Sequence, residues 1–456
     1  MGLIGRFFGV SPLERQKLLI SGALFFLLIA SYSLVKELQN IIFGNMVGVT
    51  YAPIAKILTL FVLLPLSIID GFLADRLKRY QILVVYLVGF SVIGFTFYYL
   101  LGVPRIGLEN QVRDPYRILG WLFYVYIEGY PVLIFGVFWA FVNSIHKPQD
   151  AEHTYGFIVG WSKLGGLCSA TFAYFMFCGG ILVQLNDFEK VRLALIISSS
   201  LLIFGAIFLQ VVCRRMDSKV FVGYHASRDE RIKRTGAIEG LRVIFRQPYV
   251  VGIFLLIFCC EGLMEVVNYQ RLLIVLTDKG MDSGVKSIGE AASTLYSHII
   301  VMHLAGASLS FFVTNGLMRF LGTRIALFAT PALCLLMVLI YFITMSDAVL
   351  ISLYIALHAL NYCVHTPIRE SLYIITSRDI QLKSKFIVDV LGSKASRAVG
   401  QTFNLMVSRL VVNSNVHLIA LANNIFFVVI LGLWFFVATF VGIRYAEAKV
   451  GKEVIG

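Results

Sequence analysis

The chain has 456 residues, 58% of them hydrophobic and only 14% charged, with a mean hydropathy of +0.83. A soluble protein of this length would hold two or three domains and carry about 25% charge, so a soluble fold is excluded and a polytopic helical membrane protein is expected. The formal charge of +13 invites a nucleic-acid reading. The basic residues gather in short connections between apolar runs, however, where they orient a membrane protein, and no nucleic-acid partner is expected.

No cleavable signal is expected at the N-terminus, and Arg6 stands where a myristoylated Gly2 would need Ser or Thr. Ser11-Pro12-Leu13-Glu14 has the pattern of a capping box, with Ser as N-cap and Pro at the first helical position. Spans follow at 17–36, 51–73, 81–101, 118–145, 155–179 and 192–213. A cation at mid-membrane costs about 2.5–3.5 kcal/mol, so Lys36, Lys56 and Lys163 each require a partner, a water-filled cavity or an anionic substrate. For Lys36, beside Glu37 at the end of the first span, the plain reading is a local interfacial pair. For Lys56 it is snorkelling. Glu128 in VYIEGYP marks either a break between helical pieces or a carboxylate for coupling. Lys163 is flanked by Gly156, Gly160, Gly165 and Gly166, small surfaces that let a helix or a ligand approach closely.

A basic stretch at 214–247 divides the chain into an N-terminal half (1–213) and a C-terminal half (248–456). Its arginines set topology and attract anionic lipid headgroups. Six more spans are expected at 248–269, 297–319, 323–345, 348–368, 395–413 and 417–443, about twelve in all, with both termini cytoplasmic. Glu261 and Glu265 share one helix face, where one stays protonated or each meets a cation from another span. Arg369 and Glu370 repeat the charge anomaly of the first half. His303, His358 and His365 are candidate proton relays, though a histidine bonding a neighbouring helix is the plainer reading. The seven cysteines fall in or beside apolar runs without paired spacing, so neither a disulfide framework nor a zinc site is expected. Tandem Cys259 and Cys260 read as packing. With no phosphate-binding GxxxxGK[ST], no metal-ligand spacing and no nucleophile constellation, neither an enzyme nor a cofactor is expected.

Two levels of resemblance follow. Gly71-Phe72-Leu73-Ala74-Asp75-Arg76-Leu77-Lys78-Arg79, between the second and third spans, resembles the gating motif of the major facilitator superfamily. A weakened copy, Gly316 to Arg324, lies at the matching place of the second half. That implies a fold of two six-helix halves rocking about a site near the bilayer midplane, with Asp75 and Arg76 as gate residues. More specifically, Phe138-Trp139-Ala140-Phe141-Val142-Asn143 resembles the FWGFAN block of the ATP/ADP translocases of intracellular bacteria and plastids. Lys56 with Pro65 is similar to that family's second span, and Leu263-Met264-Glu265-Val266 to its LVEV segment. Arg369-Glu370-Ser371-Leu372-Tyr373-Ile374 is similar to KEMAYIP, and Asp389 to Lys394 to DVVGSR. The chain departs from the family at Gln39-Asn40, where a Lys-Asp pair is usual, at Ser144, where glutamate follows the block, and at Tyr269, where lysine is frequent.

The resemblance implies a secondary transporter of a nucleotide or nucleotide-like anion, acting as a monomer in a bacterial inner membrane among lipids. The positions it marks as substrate-binding are Gln39, Asn40, Lys56, Glu265, Tyr269, Arg369 and Glu370; Lys36 and Lys163, particular to this chain, join them as cations that compensate from neighbouring turns. The alternatives are a proton-coupled symporter of another small organic anion, with Glu128 and Glu261 coupling, and a membrane protein that binds without transporting.

Overall fold

The computed structural model of the protein describes residues 12–59, 61–62, 76–145, 148–215, 247–277, 287–309, 325–376, 385–412 and 416–451. Among these the chain is helical, with no β-strand. Ser11 of the expected capping box, Asp75 and the Gly316–Arg324 repeat lie outside the described residues.

Helix α1 runs Pro12–Met46, about 50 Å at 1.5 Å per residue. The expected span ended at 36; the helix continues because its polar residues find partners on other helices, so the charges do not have to reach an interface. It stops at Gly48, whose φ of +117° suits a residue without Cβ, with the amides of Val47 and Gly48 both donating to the Phe43 carbonyl. At the other end Glu14 pairs with Lys17 at 2.7 Å, and Lys17 also donates to the Ile145 carbonyl at 2.8 Å. Next come α2 (52–59) and α3 (Arg79–Leu101). They are followed by α4 (Ile118–Gly129), α5 (Gly136–Ile145), α6 (Pro148–Phe177) and α7 (Asp187–Arg215).

The chain forms two compact units, Met1–Arg231 with Asp278–Ile300, and Ile232–Thr277 with Val301–Gly456. In the first, α1 packs most extensively on α6, then on α7. Glycine makes the α1–α6 approach possible. A Cβ on Gly165 would lie 2.4 Å from the Phe26 carbonyl oxygen, and one on Gly22 would lie 2.8 Å from the Trp161 ring. Buried hydroxyls stitch the other contacts, as expected where no water reaches. Ser31 on α1 bonds Ser198 on α7 at 2.8 Å, Ser91 on α3 donates to the Ser199 carbonyl, and Tyr126 on α4 donates to that of Phe90. The aromatic pair of the FWAFVN block is structural: Phe138 stacks on Phe25 of α1 at 4.4 Å, with Trp139 against the same ring.

Between α3 and α4, Arg117 acts as the knot of the connection. Its guanidinium donates to the carbonyls of Ile106, Gly107, Asn110 and Val112 at 2.6–3.0 Å. Burial lowers its pKa and the nearby Asp114 opposes that; guanidinium stays charged throughout the physiological range.

Helix α8 (Pro248–Leu276) is the axis of the second unit, buried along most of its length. The remaining helices are α9 (Ile288–Leu309, divided between the units after Ile300), α10 (Ala329–Thr344), α11 (Asp347–Leu360), α12 (Thr366–Leu372), α13 (Lys385–Val412) and α14 (Val416–Gly451). Helices α13, α14 and α11 pack on α8. Cys259 and Cys260 are fully buried there, in keeping with packing.

The expected spans 118–145 and 348–368 are each interrupted by a π turn, at Tyr130–Phe135 and Asn361–His365. Pro131 lies inside the first and Pro367 just beyond the second. Proline has no amide to bond the carbonyl four residues back, so the helix widens instead of breaking.

Among the described residues six helices are long and apolar enough to cross a membrane: Glu14–Met46, Arg79–Leu101, Ile118–Val142, Asp187–Arg215, Pro248–Leu276 and Leu418–Ala448. Two shorter apolar helices are α10 and α11.

Candidate functional site: a charged cluster in each unit

In the first unit α1 presents Lys36 and Gln39 one turn apart, facing Glu128 at the end of α4. Lys36 Nζ lies 2.5 Å from Glu128 Oε1 and donates to Gln39 Oε1 at 2.8 Å. Gln39 Nε2 in turn donates to the Tyr124 carbonyl at 2.9 Å and reaches Glu128 Oε1 at 3.3 Å. The expected local pairing of Lys36 with Glu37 is thus corrected. Adjacent residues on a helix point about 100° apart, so Glu37 turns to another side, where it is buried near Tyr296. The Tyr296 hydroxyl donates to the Leu34 carbonyl. The Lys36 side chain keeps 27% of its exposure while that of Glu128 keeps 11%, so the ammonium retains access to water and the carboxylate depends on its partners. Asn40, one turn past Lys36, is buried. Lys56 on α2 and Lys163 on α6 are both half-buried in the same unit, and Thr59 donates to the Lys56 carbonyl.

In the second unit Glu261 and Glu265 on α8 meet one cation, Arg397 of α13. Arg397 lies 3.4 Å from Glu261 Oε2 through a terminal nitrogen and 3.7 Å from Glu265 Oε1 through Nε. Glu265 Oε2 also accepts from Gln401 at 2.6 Å, and Asn404 donates to the Glu265 carbonyl at 3.2 Å. These contacts rest on a stripe of small residues on α13. A Cβ on Gly400 would lie 3.0 Å from that of Glu265, one on Gly392 would lie 3.2 Å from Ile257, and Ser396 donates to the Phe258 carbonyl at 2.6 Å. Tyr269, one turn past Glu265, is buried with its hydroxyl toward Ser408 of α13. Arg369 on α12 is half-buried, whereas its neighbour Glu370 is exposed. The ring of His365 stands edge-on to Trp434 at 5.6 Å.

The structure therefore gathers Lys36, Gln39 and Glu128 into one cluster and Glu261 and Glu265 into another. Arg76 is exposed, and the side chains of Asn143, Ser144 and Asp389 lie outside the described residues. Sequence reasoning missed Arg397, Gln401 and Arg271. The signal for the first two was the four-residue spacing Gly392, Ser396, Gly400, Asn404, which presses α13 onto α8 and carries its neighbours Arg397 and Gln401 to the carboxylates. Arg271 lay two residues beyond the expected end of its span. In the structure it is fully buried, its guanidinium 4.1 Å from the Tyr354 ring centroid.

Solved structures show what class of fold surrounds these clusters. The chain is similar to a bacterial homologue of the iron transporter ferroportin in an inward-facing state, with a TM-score of 0.61 at 14% identity over 96% of this chain and 99% of that one. It is similar to the nucleoside transporter NupG (TM-score 0.57, 14% identity, 94% and 99% covered). It is also similar to a D-xylose–proton symporter (TM-score 0.57, 16% identity, 94% and 96% covered). At such identities the likeness shows the fold alone, a many-helix fold shared with these membrane proteins. The model of the TLC ATP/ADP transporter family matches residues 116–445, more than half of the chain. The protein belongs to that family.

Proposed function

We propose that the protein is a twelve-span carrier of a nucleotide or nucleotide-like anion, working by alternating access between the halves 1–213 and 248–456, with 214–247 as the cytoplasmic linker. The observation that carries this reading is the Lys36–Gln39–Glu128 cluster, which holds a cation deep in a membrane-length helix of a TLC-family chain. A lysine so placed needs a counter-ion or water in every state. Glu128 neutralises it in the empty carrier, and substrate phosphate takes over when bound. Lys56 and Lys163 add charge from the first half and Arg369 from the second, where Glu265 and Glu370 serve as counter-ions. Gln39, Asn40 and Tyr269 offer neutral hydrogen bonds where charges are usual in the family, which favours a substrate other than ATP. Asp75 and Arg76 act at the cytoplasmic gate. The protein works as a monomer in a bacterial inner membrane, with both termini cytoplasmic.

A second reading is proton-coupled symport of another small organic anion. It is favoured by Glu261 and Glu265 sharing one guanidinium, with Glu128 and Glu261 as coupling groups. Proteoliposomes loaded with unlabelled nucleotide separate the two. Nucleotide exchange predicts uptake of labelled nucleotide that survives collapse of the proton gradient. Uptake that disappears with the gradient supports symport, and flux that is zero for every nucleotide sinks the first reading.

A further inference from the structure

Glu261 and Arg397 stand near the middle of α8 and α13 respectively, the depth at which carriers of this architecture bind their cargo. The Arg397 side chain is 36% exposed at that depth. A charge in mid-span cannot face lipid cheaply, so a part-exposed arginine at that depth calls for water or an anionic ligand beside it. Its contacts at 3.4 and 3.7 Å go to two different carboxylates. Neither is the two-point fork that guanidinium makes with a single oxyanion.

The two carboxylates are unequally dependent on it. Glu265, with 8% of its side chain exposed, holds a second charge-assisted bond from Gln401 at 2.6 Å, so it stays satisfied when the guanidinium turns. Glu261 is 18% exposed and can take water in exchange. Gly262 and Gly400 bring α8 and α13 close together: a Cβ on either would come within 3.0 Å of the opposing helix.

We propose that Arg397 receives the phosphoryl group of the substrate, and that Glu261 is the stand-in that holds the guanidinium while the carrier is empty. This rests on the nucleotide reading above and assigns to it a second-half residue on α13. The substrate oxyanion replaces Glu261 on the guanidinium, gaining the two-point geometry that the stand-in lacks, while Glu265 and Gln401 keep the base of the side chain aligned.

The test is equilibrium binding of labelled ATP and ADP to the purified full chain in detergent, with ligand-free melting as the check on folding. Glu261→Gln removes the competitor but keeps the guanidinium, and binds about tenfold more tightly than wild type, the effect of relieving one modest charge competition. Arg397→Lys keeps the charge but not the fork and binds about tenfold more weakly; Arg397→Gln loses about a hundredfold. Glu261→Gln binding no more tightly than wild type, in protein that melts normally, overturns the proposal, as does wild-type affinity in Arg397→Gln. Should Arg397→Gln fail to fold, Glu261→Gln decides alone. A wild-type protein that binds neither ATP nor ADP removes both from the cargo and overturns this inference with them, whereas binding that ignores both substitutions overturns the inference and leaves the nucleotide reading standing.

Discussion

Lys36 and Glu128, 2.5 Å apart, form an ion pair between α1 and α4, and its worth depends on what is left when one partner goes. Removing Lys36 takes the ammonium at 2.5 Å from a carboxylate that keeps only 11% of its exposure. Breaking a buried pair from one side costs about 3–5 kcal/mol; because the lysine end is partly wet, we expect about 2–3 kcal/mol for Lys36→Ala, visible as a lowered melting temperature in detergent. Replacing both residues with Met and Leu leaves no orphan charge and should restore most of that stability. On the proposed function the double variant should nevertheless transport nothing, because it lacks the cation assigned to substrate. Recovery of stability with loss of transport separates a carrier site from a structural staple; full transport by the double variant refutes the role assigned to Lys36.

At the scale of the element, glycine sets how closely helices approach, and not all glycines matter. Gly165→Ala places a methyl group 2.4 Å from the backbone oxygen of Phe26, which has no rotamer to escape into. The helices must separate, at about 1–3 kcal/mol for overpacking. Gly160, five residues earlier on the same helix, has nothing within 4 Å of its would-be Cβ. Gly160→Ala should therefore be neutral or stabilising by up to about 1 kcal/mol, the difference in helix propensity. Melting of the two variants side by side checks this, and equal effects would contradict the packing described. A second expectation concerns the loop before α4. Lysine has three donors and no planar fork, so Arg117→Lys cannot serve four carbonyls. It should cost about 1–2 kcal/mol and raise hydrogen exchange at the Gly107 and Leu108 amides, whose bonds to Val103 and Leu101 close that loop.

For the whole molecule, what was legible in the sequence was whatever periodicity and hydropathy encode. Long apolar runs gave the helices, the Lys/Arg-rich connections suggested orientation, and charges inside apolar runs flagged Lys36, Glu128, Glu261 and Glu265. Partner choice was not legible. Lys36 had Glu37 beside it in sequence, yet only the rotation of α1 decides that it meets Glu128 instead, and nothing local announces that Arg397 reaches two carboxylates 136 and 132 residues earlier. Helix length was misjudged for the same reason, since α1 outlasts its apolar stretch on bonds to α4. Family membership then narrows the cargo without naming it, and a property of the folded state as a whole can do so. A ligand that binds the folded form alone stabilises it by RT ln(1 + [L]/Kd), about 2.7 kcal/mol at a hundred times Kd. In a chain of this size that is a shift of several degrees at most, so a panel of nucleotides, dinucleotide cofactors and organic phosphates should be run at concentrations well above Kd. Because Gln39, Asn40 and Tyr269 replace charge by hydrogen-bonding groups, ligands with fewer phosphates than ATP should stabilise more than ATP does. The ordering should invert in no salt condition, while the absolute shifts shrink as ionic strength rises. If ATP gives the largest shift in the panel, the neutral positions do not set specificity, and the substrate follows the family after all.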